Sequence, residues 1–302
     1  FNYIDTIEER TWLVSFVENI LQLNKVTITP SITASIYDAI NRLYEVKKAY
    51  NSEDFHISIT DFISQLHNQS IDLQEIMNQY DTSGAYGGYF SSSKDNLDLS
   101  NFSVFELEKL MNLDEKIMLP VLDYLFRKID LRLQGQPAFL LIDEAWIAFK
   151  NPVFSKRIIE WLKVFRKRNC SVVLATHLAD TSTSDAETLL SELIISTASK
   201  IFLPNAAAIK EDFKIIYKKF GLNDQQIRVI ANAIPKRQYF HYTEEGSRLF
   251  ELAIGKLALN FVAVSTTPEI KAIKDYISKY NEKWVYNYLS DKGIQLEDYL
   301  TY

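Results

Sequence analysis

Phe139-Leu140-Leu141-Ile142-Asp143-Glu144 sets four apolar residues directly ahead of two acids. With Ala138 in front, the apolar run reads as a short buried strand, and the acids mark where it ends. Downstream, Phe154, Ile158, Trp161, Leu162 and Phe165 recur at helical spacing. Lys156, Arg157, Glu160 and Lys163 occupy the other side of that helix. Ser171 to Ala175 is apolar again, as is Ile201 to Leu203. Short apolar strands alternating with amphipathic helices predict an α/β fold, a parallel sheet with covering helices.

The rest of the second half extends this pattern. Gln238 to Tyr242 and Arg248 to Ile254 flank Glu244-Glu245-Gly246, a hairpin signal. Leu257 to Val264 reads as another strand, Pro268 opens a helix that runs to Tyr280, and Trp284 to Leu289 is a last helix.

Toward the amino terminus the chain turns mainly helical. Trp12, Leu13, Phe16, Val17, Ile20 and Leu21 put one apolar face on a helix over 7–23. Pro30 breaks it, and Ile36, Ile40, Leu43 and Tyr44 start a second stripe. Asp61 is placed to cap a helix carrying Phe62, Ile63 and Leu66. Thr82 to Ser93 holds three glycines and reads as a loop, which puts a domain boundary between a helical region, 1–84, and an α/β region, 85–302. Asn101 to Leu107 alternates like a strand, and Met118 to Ile129 is helical up to Gly135-Gln136-Pro137.

Composition narrows the function. The formal charge of −6 disfavours coating of nucleic acid by bulk charge. No apolar run approaches the ~18 residues of a membrane helix, so a soluble chain is expected. One cysteine, Cys170, makes neither an internal disulfide nor a thiolate zinc cluster, and ahead of a buried strand it reads as core. His56, His67 and His241 lack metal-ligand spacing. The chain opens Phe1-Asn2-Tyr3 without Met and holds 8 glycines, so it reads as a piece of a longer protein.

An apolar strand followed by two acids is the Walker B pattern of P-loop NTPases. A parallel strand delivers its carboxylates to the crevice where ligands bind in such sheets. Asp143 then serves magnesium, mostly through water, and Glu144 orients and deprotonates an attacking water. The plainer alternative is that both acids cap the next helix. Val172-Val173-Leu174-Ala175-Thr176-His177 is a second strand with a polar end, and in one parallel sheet Thr176 and His177 open into the same crevice. Arg166-Lys167, at a helix end, and Lys236-Arg237, before the hairpin, either complement local dipoles or reach a phosphate, in the same subunit or across an interface. Nothing matches Gly-x-x-x-x-Gly-Lys-Ser/Thr, and Gly255-Lys256 lacks the first glycine and the hydroxyl. A Walker B without a Walker A is a coincidence or a truncation.

Longer matches decide between these. Leu141-Ile142-Asp143-Glu144-Ala145-Trp146, Glu160-Trp161-Leu162-Lys163, Arg166-Lys167-x-Asn169, Ala175-Thr176-His177, Leu203-Pro204-Asn205, Pro235-Lys236-Arg237-Gln238-Tyr239 and Gly255-x-Leu257-Ala258-Leu259 follow in a fixed order. The series resembles the TrbE/CagE-type transport ATPases of conjugation and type IV secretion systems. That resemblance implies a RecA-like P-loop NTPase sheet with flanking helices, a mainly helical inserted subdomain, and a P-loop upstream of residue 1. It implies ATP and Mg2+ as cofactors, with Asp143 on the metal, Glu144 on the lytic water, and His177 where the family often has Gln. Thr176, Arg166, Lys167 and Arg237 fall on motif positions near nucleotide. It further implies a hexamer at the cytoplasmic face of the bacterial inner membrane, working with inner-membrane components and other ATPases of the apparatus on a secreted substrate. A non-hydrolytic assembly platform and a DNA-pumping coupling-type ATPase, whose nucleic-acid patch would lie near Lys236-Arg237, are the competing readings.

Overall fold

The computed structural model describes residues 1, 3–50, 56–66, 73–90, 95, 97, 99–143, 152–176 and 184–299. The chain divides into two compact units, Phe1–Leu189 and Leu190–Tyr302.

In the first unit, α1 (Ile7–Leu23) starts from a capping box. Glu9 N–H donates to Thr6 Oγ1 at 3.1 Å and Thr6 N–H to Glu9 Oε2 at 2.9 Å. α2 (Pro30–Tyr50) begins on Pro30, whose missing N–H costs nothing in a first turn. Helix α3 (Ile59–Gln65) is capped by Ser58, not by Asp61. The Asp61 carboxylate instead folds back from the third position onto the Ser58 N–H, 2.8 Å away, so it completes the cap without starting it. With α4 (Leu73–Asn78), these helices bury Val17, Ile20, Ile36, Ile40, Phe62 and Met77 in one core.

Tyr80 closes that core at 0% exposure. Its hydroxyl accepts from Asn24 Nδ2 at 3.1 Å and donates to the Lys116 carbonyl at 3.2 Å. That carbonyl is available because α7 (Glu115–Arg132) carries Pro120, which has no N–H to return to it. Burial pushes the Tyr80 phenol up to about 12, with the Asn24 bond pulling the other way. The glycine-rich stretch after it is a tight coil that leads into α5 (Gly87–Phe90). A Cβ on Gly84 would lie 2.1 Å from the Asn78 carbonyl oxygen, and one on Gly87 2.0 Å from that of Asp81, so neither position admits a side chain without movement.

The strand expected over 101–107 does not form. The segment runs without a partner strand, Phe102 and Val104 are 85% and 76% exposed, and α6 (Glu108–Met111) follows it. Alternation alone does not make a strand when no neighbour takes its backbone bonds.

Beside α7, Asp95 Oδ2 accepts from Tyr124 Oη (2.6 Å), Lys128 Nζ (2.7 Å) and Tyr3 Oη (3.2 Å). Partial burial works to raise the Asp95 carboxyl, but the bonds from Lys128 and Tyr124 prevail and hold it below its ordinary range. A carboxyl whose pKa is lower folded than unfolded adds stability above the unfolded value of ~3.9 and loses it as pH falls through the folded value. Asp95→Asn is therefore expected to be less stable than the parent at neutral pH, with the gap closing below about pH 4. Urea unfolding at neutral and acid pH measures this. A gap that stays constant across the range would rule the ionised cluster out.

Strands β1 (Ala138–Ile142) and β2 (Cys170–Leu174) pair in parallel, from Ala138 opposite Cys170 to Ile142 opposite Leu174. α8 (Pro152–Lys167) connects them. On one face Leu140, Ile142 and Val172 meet Phe126, Trp161 and Phe165 around a small void. Phe126 and Trp161 stack with centroids 3.7 Å apart. The other face departs from the buried strand expected: Phe139 is 76% exposed, Leu141 72% and Val173 47%. Among the described residues, helices cover this pair on one side only.

α9 (Ser184–Ser196) leads into the second unit. There β3 (Lys200–Phe202), β4 (Gln238–Thr243) and β5 (Gly246–Glu251) form an antiparallel sheet in that order. The sequence pattern assigns β3 to a parallel sheet with β1 and β2; it pairs antiparallel with β4 instead. Three apolar residues carry no information about which partner, or which direction, they take. The β4–β5 hairpin turns at Glu244-Glu245, as its sequence predicts. α10 (Glu211–Lys219) and α11 (Asp224–Asn232) bury Tyr217, Ile227 and Ile230 in the unit.

Leu257 to Val264 is a further correction, forming helix α12 (Lys256–Val262) instead of a strand. Leu257 and Phe261, four apart, pack with α13 (Thr267–Tyr280) and α14 (Trp284–Asp291) around Tyr288 and Leu289. A short apolar run fits either period, and here the i, i+4 pair finds its neighbours in helices. No helix among the described residues is long and apolar enough to cross a membrane.

Candidate functional site

Parallel pairing makes both strands of the first unit end together. Ile142 lies opposite Leu174, and the Ala175 N–H donates to the Ile142 carbonyl at 2.9 Å, extending the ladder one step. Asp143 follows directly and Thr176 comes one residue beyond Ala175, so a carboxylate and a hydroxyl emerge, both exposed, at the carboxyl end of adjacent strands. That end is where open α/β sheets bind ligands. Glu144 and His177, the next residue in each case, lie outside the described residues.

The donor set suits magnesium. Mg2+ takes hard oxygen ligands, one or two from the protein and the rest from phosphates and water. Asp143 and Thr176 offer such oxygens, and no cluster of three or more His, Cys, Asp or Glu exists among the described residues to make a dedicated metal cage. Cys170 starts β2 from a buried position, and burial pushes its thiol up, away from the thiolate a nucleophile needs.

Arg166 and Lys167 sit elsewhere. They occupy the last turn of α8, which returns from the carboxyl end of β1 to the amino end of β2. The Asn169 carbonyl, just past that turn, accepts from the Ala138 N–H at 3.2 Å, at the opposite end of β1 from Asp143. Five strand residues separate the two ends by about 13 Å. Both cations are exposed there. Asn169 itself holds the corner: it adopts a left-handed φ of 59°, and its Nδ2 donates to the Gly135 carbonyl at 3.1 Å. The motif asparagine thus ties the end of α8 to the turn between α7 and β1, a role its sequence position does not announce.

Arg237 lies in the second unit, one residue before β4. Its Nε donates to Glu251 Oε2 at 3.0 Å. Glu251 was absent from the sequence-based candidates, although the hairpin turn at Glu244-Glu245 places Gln238 opposite it.

The TraG P-loop domain family matches residues 14–256 of the chain. The chain belongs to this family. Among its relatives, the conjugal transfer protein TrbE of Rhizobium radiobacter is 37% identical over 299 residues, 98% of this chain and 35% of that protein. A probable conjugal transfer protein TrbE of Sinorhizobium fredii (strain NBRC 101917 / NGR234) is 37% identical over 292 residues, 96% of this chain and 42% of that protein. The chain therefore spans well under half of the TrbE relatives it matches. Among solved structures, VirB4 of Thermoanaerobacter pseudethanolicus is similar with a TM-score of 0.58 at 15% identity, covering 82% of this chain and 69% of that one. A TraG P-loop domain with this likeness has the α/β fold of P-loop NTPases, as its strand–helix alternation predicts.

Proposed function

We propose that the chain is the ATPase core of a conjugation or type IV secretion motor, in which ATP hydrolysis drives pilus assembly or substrate transfer. The observation that carries the reading is the level ending of β1 and β2, which presents Asp143 and Thr176 at one carboxyl edge. Membership of the TraG P-loop family and the TrbE relatives support it.

In this reading the sheet is RecA-like, residues 1–84 form a helical insertion, and residues 85–302 form the core. Asp143 holds the magnesium ion of Mg-ATP, whose chemistry is to neutralise charge across the phosphates. Glu144 accepts a proton from the attacking water and aligns it. His177 and Thr176 hydrogen-bond the γ-phosphate. Arg166 and Lys167, remote from Asp143 within one copy, act across an interface, which fits a ring. A hexamer at the cytoplasmic face of the inner membrane, together with other components of the apparatus, completes the proposal.

Calorimetry with Mg-ATP tests it, on this chain and on a version carrying a Gly-x-x-x-x-Gly-Lys-Ser/Thr segment upstream. Binding by the extended form alone is expected, because that loop's amides and lysine supply most of the phosphate contacts. Tight binding by the present chain would move the site to other residues, and no binding by either would favour an assembly platform.

A further inference from the structure

Arg237 is held unusually firmly for a surface arginine. Lys236, just before it, takes a left-handed φ of 63°, a conformation that non-glycine residues rarely adopt. The Arg237 N–H donates to the Ile234 carbonyl, and its own carbonyl accepts from the Leu252 N–H, each at 3.3 Å. At the side chain, Nε donates to Glu251 Oε2 at 3.0 Å. Glu251 is fixed in turn, because its Oε1 accepts from Gln238 Nε2 at 3.3 Å while Gln238 Oε1 accepts from the Ile234 N–H at 2.9 Å. The bonds from Arg237 and then Gln238 hold the Glu251 carboxyl below its ordinary range.

This arrangement spends only one edge of the guanidinium. The two Nη groups have no partner among the described residues, and the side chain is 65% exposed. A pair meant only to staple the hairpin would gain most from a two-pronged contact, since bidentate Arg–carboxylate geometry is the strong one. A single Nε contact at the hairpin's open end gains little stability for an exposed pair. What it does achieve is orientation, with a planar fork whose free N–H groups match two oxygens of a phosphate.

We propose that Glu251, braced by Gln238, is a positioning residue that aims the free Nη pair of Arg237 at a nucleotide phosphate. This rests on the ATPase reading of the chain. The phosphate belongs to ATP bound at a Walker B edge, and the fork stabilises charge that builds on its oxygens during transfer.

The test is steady-state ATP hydrolysis by the full-length protein, with kcat and KM resolved and folding checked by thermal melting. Arg237→Ala is expected to lower kcat by roughly 10³-fold or more, the range for a phosphate-directed arginine. Glu251→Ala is expected to lower kcat by roughly 10- to 100-fold at little cost in KM, because the fork is misaimed and the charge remains. Glu251→Gln, which keeps an acceptor oxygen for Nε, should recover a share of that loss. The reversed pair, Arg237→Glu with Glu251→Arg, restores an ion pair on the hairpin and should stay as inactive as Arg237→Ala. Wild-type turnover in Arg237→Ala overturns the phosphate role of Arg237 itself. A slow Arg237→Ala beside a fully active Glu251→Ala overturns the positioning role alone. Activity regained by the reversed pair reduces the contact to a structural one.

Discussion

Glu144→Gln in the full-length protein is expected to bind Mg-ATP as the parent does and to hydrolyse it roughly 10²- to 10⁴-fold more slowly. The substitution keeps shape and hydrogen-bonding capacity and removes only the basic oxygen. A general base contributes in the transition state, so its loss falls on kcat and leaves ground-state binding nearly intact. Asp143→Asn should behave differently. It sits one residue earlier, where β1 ends, and its charge is proposed to hold the metal, so the loss should appear as a weaker apparent affinity for Mg-ATP. The two variants thus separate along kcat and KM. If Glu144→Gln turns over at the parental rate, the acid caps the helix that follows and takes no part in chemistry.

Phe165→Ala is expected to destabilise the first unit by about 3–5 kcal/mol, the usual range for a buried phenylalanine. Phe165 is 1% exposed, lies 6.2 Å from Phe126 ring to ring, and reaches the void shared with Leu140, Ile142 and Val172. Its removal leaves a hole between α8 and the strand that carries Asp143, and the aromatic stack of Phe126 on Trp161 limits how far α8 can settle to fill it. Phe139→Ala, on the same strand but the open face, should change stability by no more than about 0.5 kcal/mol in this chain. Urea unfolding followed by tryptophan fluorescence compares the two, with Trp161 reporting on the α8 side. Equal losses would mean that the exposed face of β1 is in fact packed.

The helices were legible because each carries its own instructions. Thr6 and Glu9 start α1, Pro30 opens α2, and Gly246 closes the turn between β4 and β5. Leu257 and Phe261 misled because seven residues of mixed apolar character satisfy both periods, and only Tyr288, arriving from α14, selects the helix. The 101–107 segment misled for the opposite reason: it has the period of a strand and nothing to pair with. At the site, Asp143 and Thr176 were legible because a strand's end is written in its composition. The distance of Arg166 and Lys167 from them was not, because it depends on the direction in which α8 crosses back to β2.

By itself the sequence determined where most strands and helices begin, which residues stand at strand ends, and, through an ordered series of short motifs, membership of a P-loop transport family. These are local properties, set by apolar spacing, caps and turn residues within a few positions of each other. The tertiary structure alone decided that β3 runs against β4, that one face of β1 is open, that Asn169 holds a corner, and that Glu251 grips Arg237 by Nε. Each of these depends on groups brought together by packing and pairing, and a one-dimensional pattern does not carry the direction or the partner of a contact it cannot see.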